Sequence, residues 1–252
     1  MSRPTKRHKS SSFIPILILI AAVSIWIHDA YKQGNLASFF EKTNAELTNG
    51  DKKSSGSSPA PTSSDSSAGH SSPSSPTRTG KYDTYHGCAL VGDRSNDGDS
   101  FRVKLPDGKS EIIRLYFVDT PESAFKSYRG AATNHQRIQQ QADDMGGISP
   151  QQAVEIGKKA KEFTSAILGA SPFTLYTEWD SPFNDRRYHG FVEVVYGGRK
   201  RFLHELLVEK GYARIHTKGG QLPNGNSERK QENHLFSLER KAKSANSGAW
   251  GL

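Results

Sequence analysis

A strand-like run that ends in polar residues holds the side chains with the clearest chemical use. The segment RLYFVDTPES begins at Arg114, and Asp119 and Glu122 follow at its far end. Its apolar residues predict a β-strand, yet a strand needs neither an arginine at its start nor an Asp-Thr-Pro-Glu sequence at its end. The polar residues of this segment are therefore candidates for a functional site.

Arginine, aspartate and glutamate in this order have complementary uses on a phosphodiester. The planar guanidinium of Arg114 can bind a phosphate through two parallel hydrogen bonds. Asp119 can hold a hard cation that offsets the charge of the same phosphate. Glu122, beyond the proline, can accept a proton from an attacking water molecule. Together these residues indicate phosphodiester hydrolysis.

The preceding strand can bring a second carboxylate to the same place. The loop DRSNDGDS contains Asp99 and leads into the alternating strand FRVKL, and the turn signal PDG then predicts a hairpin with the strand of Arg114. Because the base of one hairpin strand faces the end of its partner, we expect Asp99 near Asp119. With the backbone carbonyl of Thr120 they would form an all-oxygen site for Ca²⁺ or Mg²⁺. Aspartates that cap turns are the alternative, and composition alone favours it.

The elements around these residues predict an α+β domain. The capping pattern SPQQ begins an amphipathic helix at Ser149 that Gly169 ends. FTLYTEW and GFVEVVY predict strands, FLHELLVEKG a short helix, YARIH a brief strand, and the segment from 227 to 248 a final helix. Several strands with inserted and terminal helices are typical of a small closed β-barrel.

The N-terminal part predicts a membrane segment. Residues 1–12 are basic, and the apolar run FIPILILIAAVSIWI occupies 13–27. Basic residues ahead of an apolar segment keep the N-terminus in the cytoplasm and send the following chain across the membrane. The run is either an uncleaved anchor or a signal peptide cut after Ala22 and Ser24. Apolar residues continue past that cut, which favours the anchor.

A polar stretch separates this segment from the folded part. Residues 28–80 are polar and become rich in Ser, Pro and Gly, which predicts a linker before a domain at 81–252. The domain is therefore expected outside the cytoplasm, tethered to the membrane or secreted after cleavage, and we expect a monomer.

The composition allows a nucleic-acid partner without requiring one. The formal net charge is +8. The first 80 residues hold 9 basic and 5 acidic residues, net +4, so residues 81–252 contribute the other +4. A domain of this charge fits a polyanion, but many ordinary surfaces are as basic. Cys88 is the single cysteine, which excludes intrachain disulfides and cysteine-based metal sites.

The motifs in their order resemble the staphylococcal nuclease family. DGDS, RLYFVDTPES, GKKAKEFTSAIL, GFVEVVYGGRKRFLHELLVEKGYARI and LERKAKSANSGAWG occur across nearly all of residues 85–252. The resemblance implies an OB-fold five-stranded β-barrel with three helices and Ca²⁺-dependent endonuclease action on DNA and RNA. It also implies the roles of single residues. The calcium ligands would be Asp99, Asp119 and the carbonyl of Thr120, the phosphate ligand Arg114, and the general base Glu122.

Three features depart from the family pattern. The family places a second phosphate-binding arginine ahead of the GFVEV strand, where this chain reads DRRYHG. A gapless alignment puts His189 at that position, and Arg187 would need a loop shift, so both are candidates. The family's base-stacking tyrosines have no equivalent after Ile215. Residues 124–147 are longer and more polar than the usual loop, and we expect residues 139–144 to be mobile.

A non-catalytic OB-fold module that binds nucleic acids or proteins is the competing interpretation. The resemblance allows it, since the family includes domains that have lost catalytic residues. Asp99, Arg114, Asp119 and Glu122 are all present in this chain. A domain that had lost its activity would be expected to lose several of them, so their presence favours the enzyme.

Overall fold

The computed structural model describes residues 76–182 and 185–252. The predicted membrane segment at 13–27 and nearly all of the predicted linker lie outside the described residues. Across the described ranges, no helix is long and apolar enough to cross a membrane.

The described ranges contain nine strands and four α-helices. The strands are β1 (Thr77–Thr79), β2 (Tyr82–Leu90), β3 (Ser100–Lys104), β4 (Ser110–Leu115), β5 (Val118–Asp119), β6 (Phe173–Thr177), β7 (Arg187–Tyr196), β8 (Arg199–Phe202) and β9 (Arg214–Ile215). The helices are α1 (His135–Asp144), α2 (Pro150–Ala170), α3 (Leu203–Glu209) and α4 (Glu228–Ser244). Short 3₁₀ turns occur at Arg129–Ala131 and Gly248–Gly251.

Five strands close into a barrel. The hydrogen-bonded order is β2-β3-β4-β7-β6, and β6 pairs back with β2. All neighbours are antiparallel except β4 and β7, which run parallel. β1 and β8 extend the sheet outside this ring, and β5 pairs with β9 in a separate ribbon. The predicted five-stranded barrel of an α+β domain is confirmed.

Alternation along the strands fills the barrel. Val103, Ile113, Leu115 and Leu175 are fully buried, while their chain neighbours on these strands are less so. Each such side chain contributes about 1.5–3 kcal/mol by leaving water. This interior fixes the register of the strands that carry the polar residues at their ends.

The predicted capping of α2 is confirmed. The hydroxyl of Ser149 accepts a hydrogen bond from the backbone N–H of Gln152 at 3.2 Å, and the side-chain oxygen of Gln152 accepts from the N–H of Ser149 at 2.8 Å. These reciprocal bonds satisfy donors that a helix start otherwise leaves unpaired. They fix where α2 begins, and α2 is the helix that packs beneath the polar site.

The segment that we expected to be mobile forms a helix instead. Residues 139–144 belong to α1, and residues 76–182 and 185–252 contain four α-helices where three were expected. Ile138, Ala142 and Met145 are completely buried against Ala153 and Ile156 in a second hydrophobic cluster. Their spacing is helical, but only these few apolar residues interrupt a polar sequence, so the periodicity is weak.

Candidate active site

The predicted hairpin positions both aspartates. Ser100 pairs with Arg114, and the N–H of Leu115 donates to the backbone oxygen of Asp99 at 2.9 Å. The chain then turns, so that the N–H of Thr120 lies 3.3 Å from Oδ2 of Asp99. Asp99 and the segment that begins with Asp119 therefore meet at one edge of the barrel, as the sequence predicts.

Helix α2 supports this segment from below. A Cβ on Gly157 would lie 2.6 Å from the carbonyl oxygen of Glu122, so α2 and the backbone of Pro121 and Glu122 touch directly. The hydroxyl of Thr164 also donates to the carbonyl of Gly98 at 2.8 Å. The contact between Gly157 and the backbone of Pro121 and Glu122 leaves no room for a Cβ, so only glycine fits at position 157. The glycine in the GKKAKEF motif thus fixes the height of the site above the helix.

Arg114 joins the two aspartates. Its Nη2 lies 2.9 Å from Oδ1 of Asp119 and 3.5 Å from Oδ2 of Asp99. Both carboxylates are buried, and only 12% of the Arg114 side chain is exposed. The arginine of the RLYFVDTPES segment therefore faces the carboxylates that the same motif supplies.

Asp119 is surrounded by donors that the sequence motifs do not identify. Its Oδ1 accepts from Nη2 of Arg137 at 2.6 Å, in addition to Arg114. Its Oδ2 accepts from Gln141 at 2.9 Å and from Nε and Nη2 of Arg214 at 2.9 and 2.8 Å. Arg214 reaches Asp119 because β9 pairs with β5, where Asp119 and Arg214 are register partners. Arg137 and Gln141 share one face of α1 at i, i+4 spacing.

Glu122 belongs to the same cluster. Its Oε1 accepts from Nε of Arg137 at 3.0 Å, and its Oε2 lies 3.4 Å from Nζ of Lys126. Its backbone N–H donates to the side-chain oxygen of Gln141 at 3.0 Å. The proposed base and the proposed metal ligand Asp119 are thus both within reach of a single guanidinium, that of Arg137.

The two buried aspartates are in opposite electrostatic situations. Burial raises the pKa of Asp99 to about 7, and Arg114 only partly offsets that effect. Burial would also raise the pKa of Asp119, but Arg137, Gln141, Arg214 and Arg114 outweigh it and lower the pKa. Asp119 is therefore a stable carboxylate, while the positive charge near Asp99 only partly compensates for its burial.

A comparison with protein-family models assigns this chain to a family. The sequence model of the family described as staphylococcal nuclease homologue matches residues 112–251, which include Arg114, Asp119 and Glu122. The chain belongs to the staphylococcal nuclease homologue family. A comparison with curated proteins gives no match. Membership in this family indicates a nuclease-type fold, in agreement with the closed barrel and its helices.

The cluster contains oxygen atoms of the kind that a hard cation prefers. Within residues 76–182 and 185–252 there is no group of three or more His, Cys, Asp or Glu side chains that could hold a metal. Asp99, Asp119 and the carbonyl of Thr120 nevertheless supply oxygen atoms, which Ca²⁺ prefers. Asp99 is also a buried carboxylate short of positive charge, which a cation would provide. A cation beside Asp119 would compete with protein donors at both of its carboxylate oxygens and at the Thr120 carbonyl. Oδ1 accepts from Arg114 and Arg137, Oδ2 accepts from Gln141 and Arg214, and the Thr120 carbonyl accepts from Gln141.

The structure does not bring Arg187 to this family site. Arg187 pairs in register with Ile112 and binds Asp185, with 2.6 Å between Nη2 and Oδ2. It also donates from Nε to Asp185 at 2.7 Å. Because its guanidinium binds Asp185, Arg187 does not take the position of the family arginine beside Arg114.

His189 lies beside Arg114 but is oriented by other residues. The two are register partners on β7 and β4. The imidazole is buried, stacks on Tyr116 at 5.1 Å between ring centroids, and places Nδ1 3.2 Å from Oδ2 of Asp180. Burial lowers its pKa below the ordinary value of 6.5, and Asp180 opposes this effect only in part. At neutral pH the ring is therefore uncharged, unlike the family arginine.

Proposed function

We propose that this domain is a Ca²⁺-dependent endonuclease that hydrolyses phosphodiester bonds of DNA and RNA. The observation that carries the proposal is the convergence of Asp99, Arg114, Asp119 and Glu122 in one hydrogen-bonded cluster. Family membership supports the same reaction class.

Each residue has a role that follows from its chemistry. Asp99, Asp119 and the carbonyl of Thr120 would hold Ca²⁺, which supplies positive charge that offsets the charge of the phosphate. Arg114 binds the phosphate oxygens. Glu122 accepts a proton from water as the water oxygen bonds to phosphorus. The P–O bond to one nucleoside then breaks, and the leaving oxygen takes a proton from solvent water and departs as an alcohol.

Exposed aromatic side chains near Glu122 favour single-stranded nucleic acid as the substrate. Phe125 and Tyr128 are exposed in the segment that follows Glu122. Asn134 holds this segment in place, because its Oδ1 accepts from the N–H of Lys126 at 2.7 Å and its Nδ2 donates to the carbonyl of Ala124 at 2.9 Å. Aromatic rings stack on unpaired bases at about 1–3 kcal/mol per base without sequence preference. Phe125 and Tyr128 would take the role of the family's base-stacking tyrosines, which this chain lacks after Ile215.

Ca²⁺ is expected to support cleavage of single-stranded DNA and RNA by the full chain in detergent micelles. An excess of chelator is expected to abolish it, and added Ca²⁺ to restore it. Mg²⁺ should support less activity because it demands stricter octahedral geometry. Oligonucleotide cleavage on denaturing gels measures this. Full activity in chelator would contradict the metal role, and binding without cleavage under every condition would favour the non-catalytic binding module.

We further propose that the domain lies outside the cytoplasm. The proposal is supported by the basic residues 1–12 ahead of the apolar run 13–27. Protease added to intact cells is expected to cut the linker ahead of residue 81 while a cytoplasmic marker protein stays intact. If the linker is protected until the membrane is broken, the domain faces the cytoplasm or lies in a compartment closed to the protease.

A further inference from the structure

The three arginines around Asp119 differ in their access to solvent. Side-chain exposure is 4% for Arg214, 12% for Arg114 and 42% for Arg137. Arg214 is enclosed between Asp119 and Asp144, and it binds both. Arg137 therefore forms the outer, solvent-facing part of the cluster, where a substrate would arrive.

The guanidinium of Arg137 has donors to spare. Its Nε binds Glu122 at 3.0 Å and its Nη2 binds Asp119 at 2.6 Å. Its remaining N–H groups make no hydrogen bond to any described residue. A guanidinium offers a rigid fork of donors that matches the oxygens of a phosphate. Arg137 can therefore bind a phosphate oxygen while it keeps its contact with Glu122.

Helix α1 fixes Arg137 at this position. Ile138, the next residue, is completely buried in the second hydrophobic cluster. Gln141, one turn further along, donates to Asp119 at 2.9 Å and to the carbonyl of Thr120 at 3.0 Å, and accepts from the N–H of Glu122 at 3.0 Å. The helix is thus tied to the Asp-Thr-Pro-Glu segment itself. Because Arg137 lies one turn before Gln141 on the same face of α1, its side chain is directed toward Asp119 and Glu122.

We propose that Arg137 is a catalytic residue that supplies the second phosphate-binding cation of the site. It would bind an oxygen of the scissile phosphate together with Arg114 and stabilise the charge that develops there during cleavage. The position that carries an arginine in the family pattern holds an uncharged, buried His189 here, and Arg187 is bound to Asp185. Helix α1 therefore supplies a cation that β7 does not present to the site, because Arg187 at the start of β7 is held by Asp185. This inference rests on the proposed nuclease function.

The test compares three variants of the full chain. Arg137→Ala removes the cation, Arg137→Lys keeps the charge without the fork, and Arg201→Ala is the matched control. Arg201 lies on β8, is 30% exposed, and also bridges two carboxylates, those of Glu205 and Glu209 on α3. Asp119 keeps Arg114, Arg214 and Gln141 as partners in either Arg137 variant, so the fold is expected to persist.

Cleavage of a single-stranded oligonucleotide at saturating Ca²⁺ gives the first measurement. We expect Arg137→Ala to lower kcat/KM by about 10²–10³-fold, as for the loss of one donor to transition-state charge. Arg137→Lys should recover part of this loss, and Arg201→Ala should stay within about 3-fold of the wild type, as an exposed ion pair contributes little. A rate for Arg137→Ala equal to that of the control would overturn the proposal.

Binding measured without cleavage separates this inference from the nuclease function. In chelator, the affinity for the same oligonucleotide should fall less steeply with salt in Arg137→Ala than in the wild type, by about 0.7 in the logarithmic slope for one lost phosphate contact. This result would support the phosphate contact even if the wild type cleaved nothing. An unchanged slope would overturn it. Tighter Ca²⁺ binding with an unchanged rate would also overturn it, since Arg137 would then only compete with the metal for Asp119.

Discussion

Replacement of Glu122 with glutamine is expected to lower kcat by about 10²–10⁴-fold, the usual cost of losing a general base. Glutamine keeps the size of the side chain and its hydrogen-bonding reach, but it does not take a proton from water. Binding of an oligonucleotide should change little, because phosphate attraction comes from Arg114, the cation and the basic surface. Single-turnover cleavage and fluorescence anisotropy measure the two quantities separately.

Glu155→Gln is the matched control for this change. Glu155 lies on α2 and forms a surface ion pair with Lys158 at 2.7 Å, so the same substitution removes one charge and one exposed pair. Its rate should equal that of the wild type, because such pairs contribute little. If Glu122→Gln cleaves as fast as this control, Glu122 is not the base, and the nuclease would need another proton acceptor.

The core of the site follows from local sequence because a hairpin brings it together. The PDG turn fixes the pairing of β3 with β4, and alternation fixes which face is buried. Asp99 and Asp119 must then lie at the same edge, as the structure confirms. The same reasoning finds α2, whose Ser149 cap and apolar stripe are both local signals.

The outer part of the site could not be found in this way. Arg137 and Gln141 reach Asp119 only because α1 packs on α2 through a few apolar residues, and such tertiary contacts leave little periodicity in a polar sequence. The state of His189 is equally non-local. An alignment places it beside Arg114, but its burial and its contacts with Asp180 and Tyr116 decide its charge.

Asp119 is the anion that three arginines share, and two of them, Arg114 and Arg214, are largely buried. One carboxylate with no solvent exposure receives hydrogen bonds from Arg114, Arg137 and Arg214. Asp144 binds Arg214 as well, but it is partly exposed. Buried ion pairs cost desolvation energy that only good geometry offsets, so removing the shared anion leaves uncompensated charges. Asp119 is therefore expected to hold the fold together, in addition to its proposed role as a ligand.

Asp119→Asn is expected to lower the free energy of unfolding by about 3–5 kcal/mol, the cost of breaking a buried ion pair by removing one partner. Asparagine has the same shape but no charge, and its amide N–H₂ would face the donors of the arginines. Asp185→Asn is the matched control: it breaks the exposed pair with Arg187 and should cost about 1 kcal/mol or less. Urea titrations followed by tryptophan fluorescence compare the two variants. Equal stabilities would contradict the structural role, and the three arginines would then be balanced by Asp99, Glu122, Asp144 and solvent without Asp119.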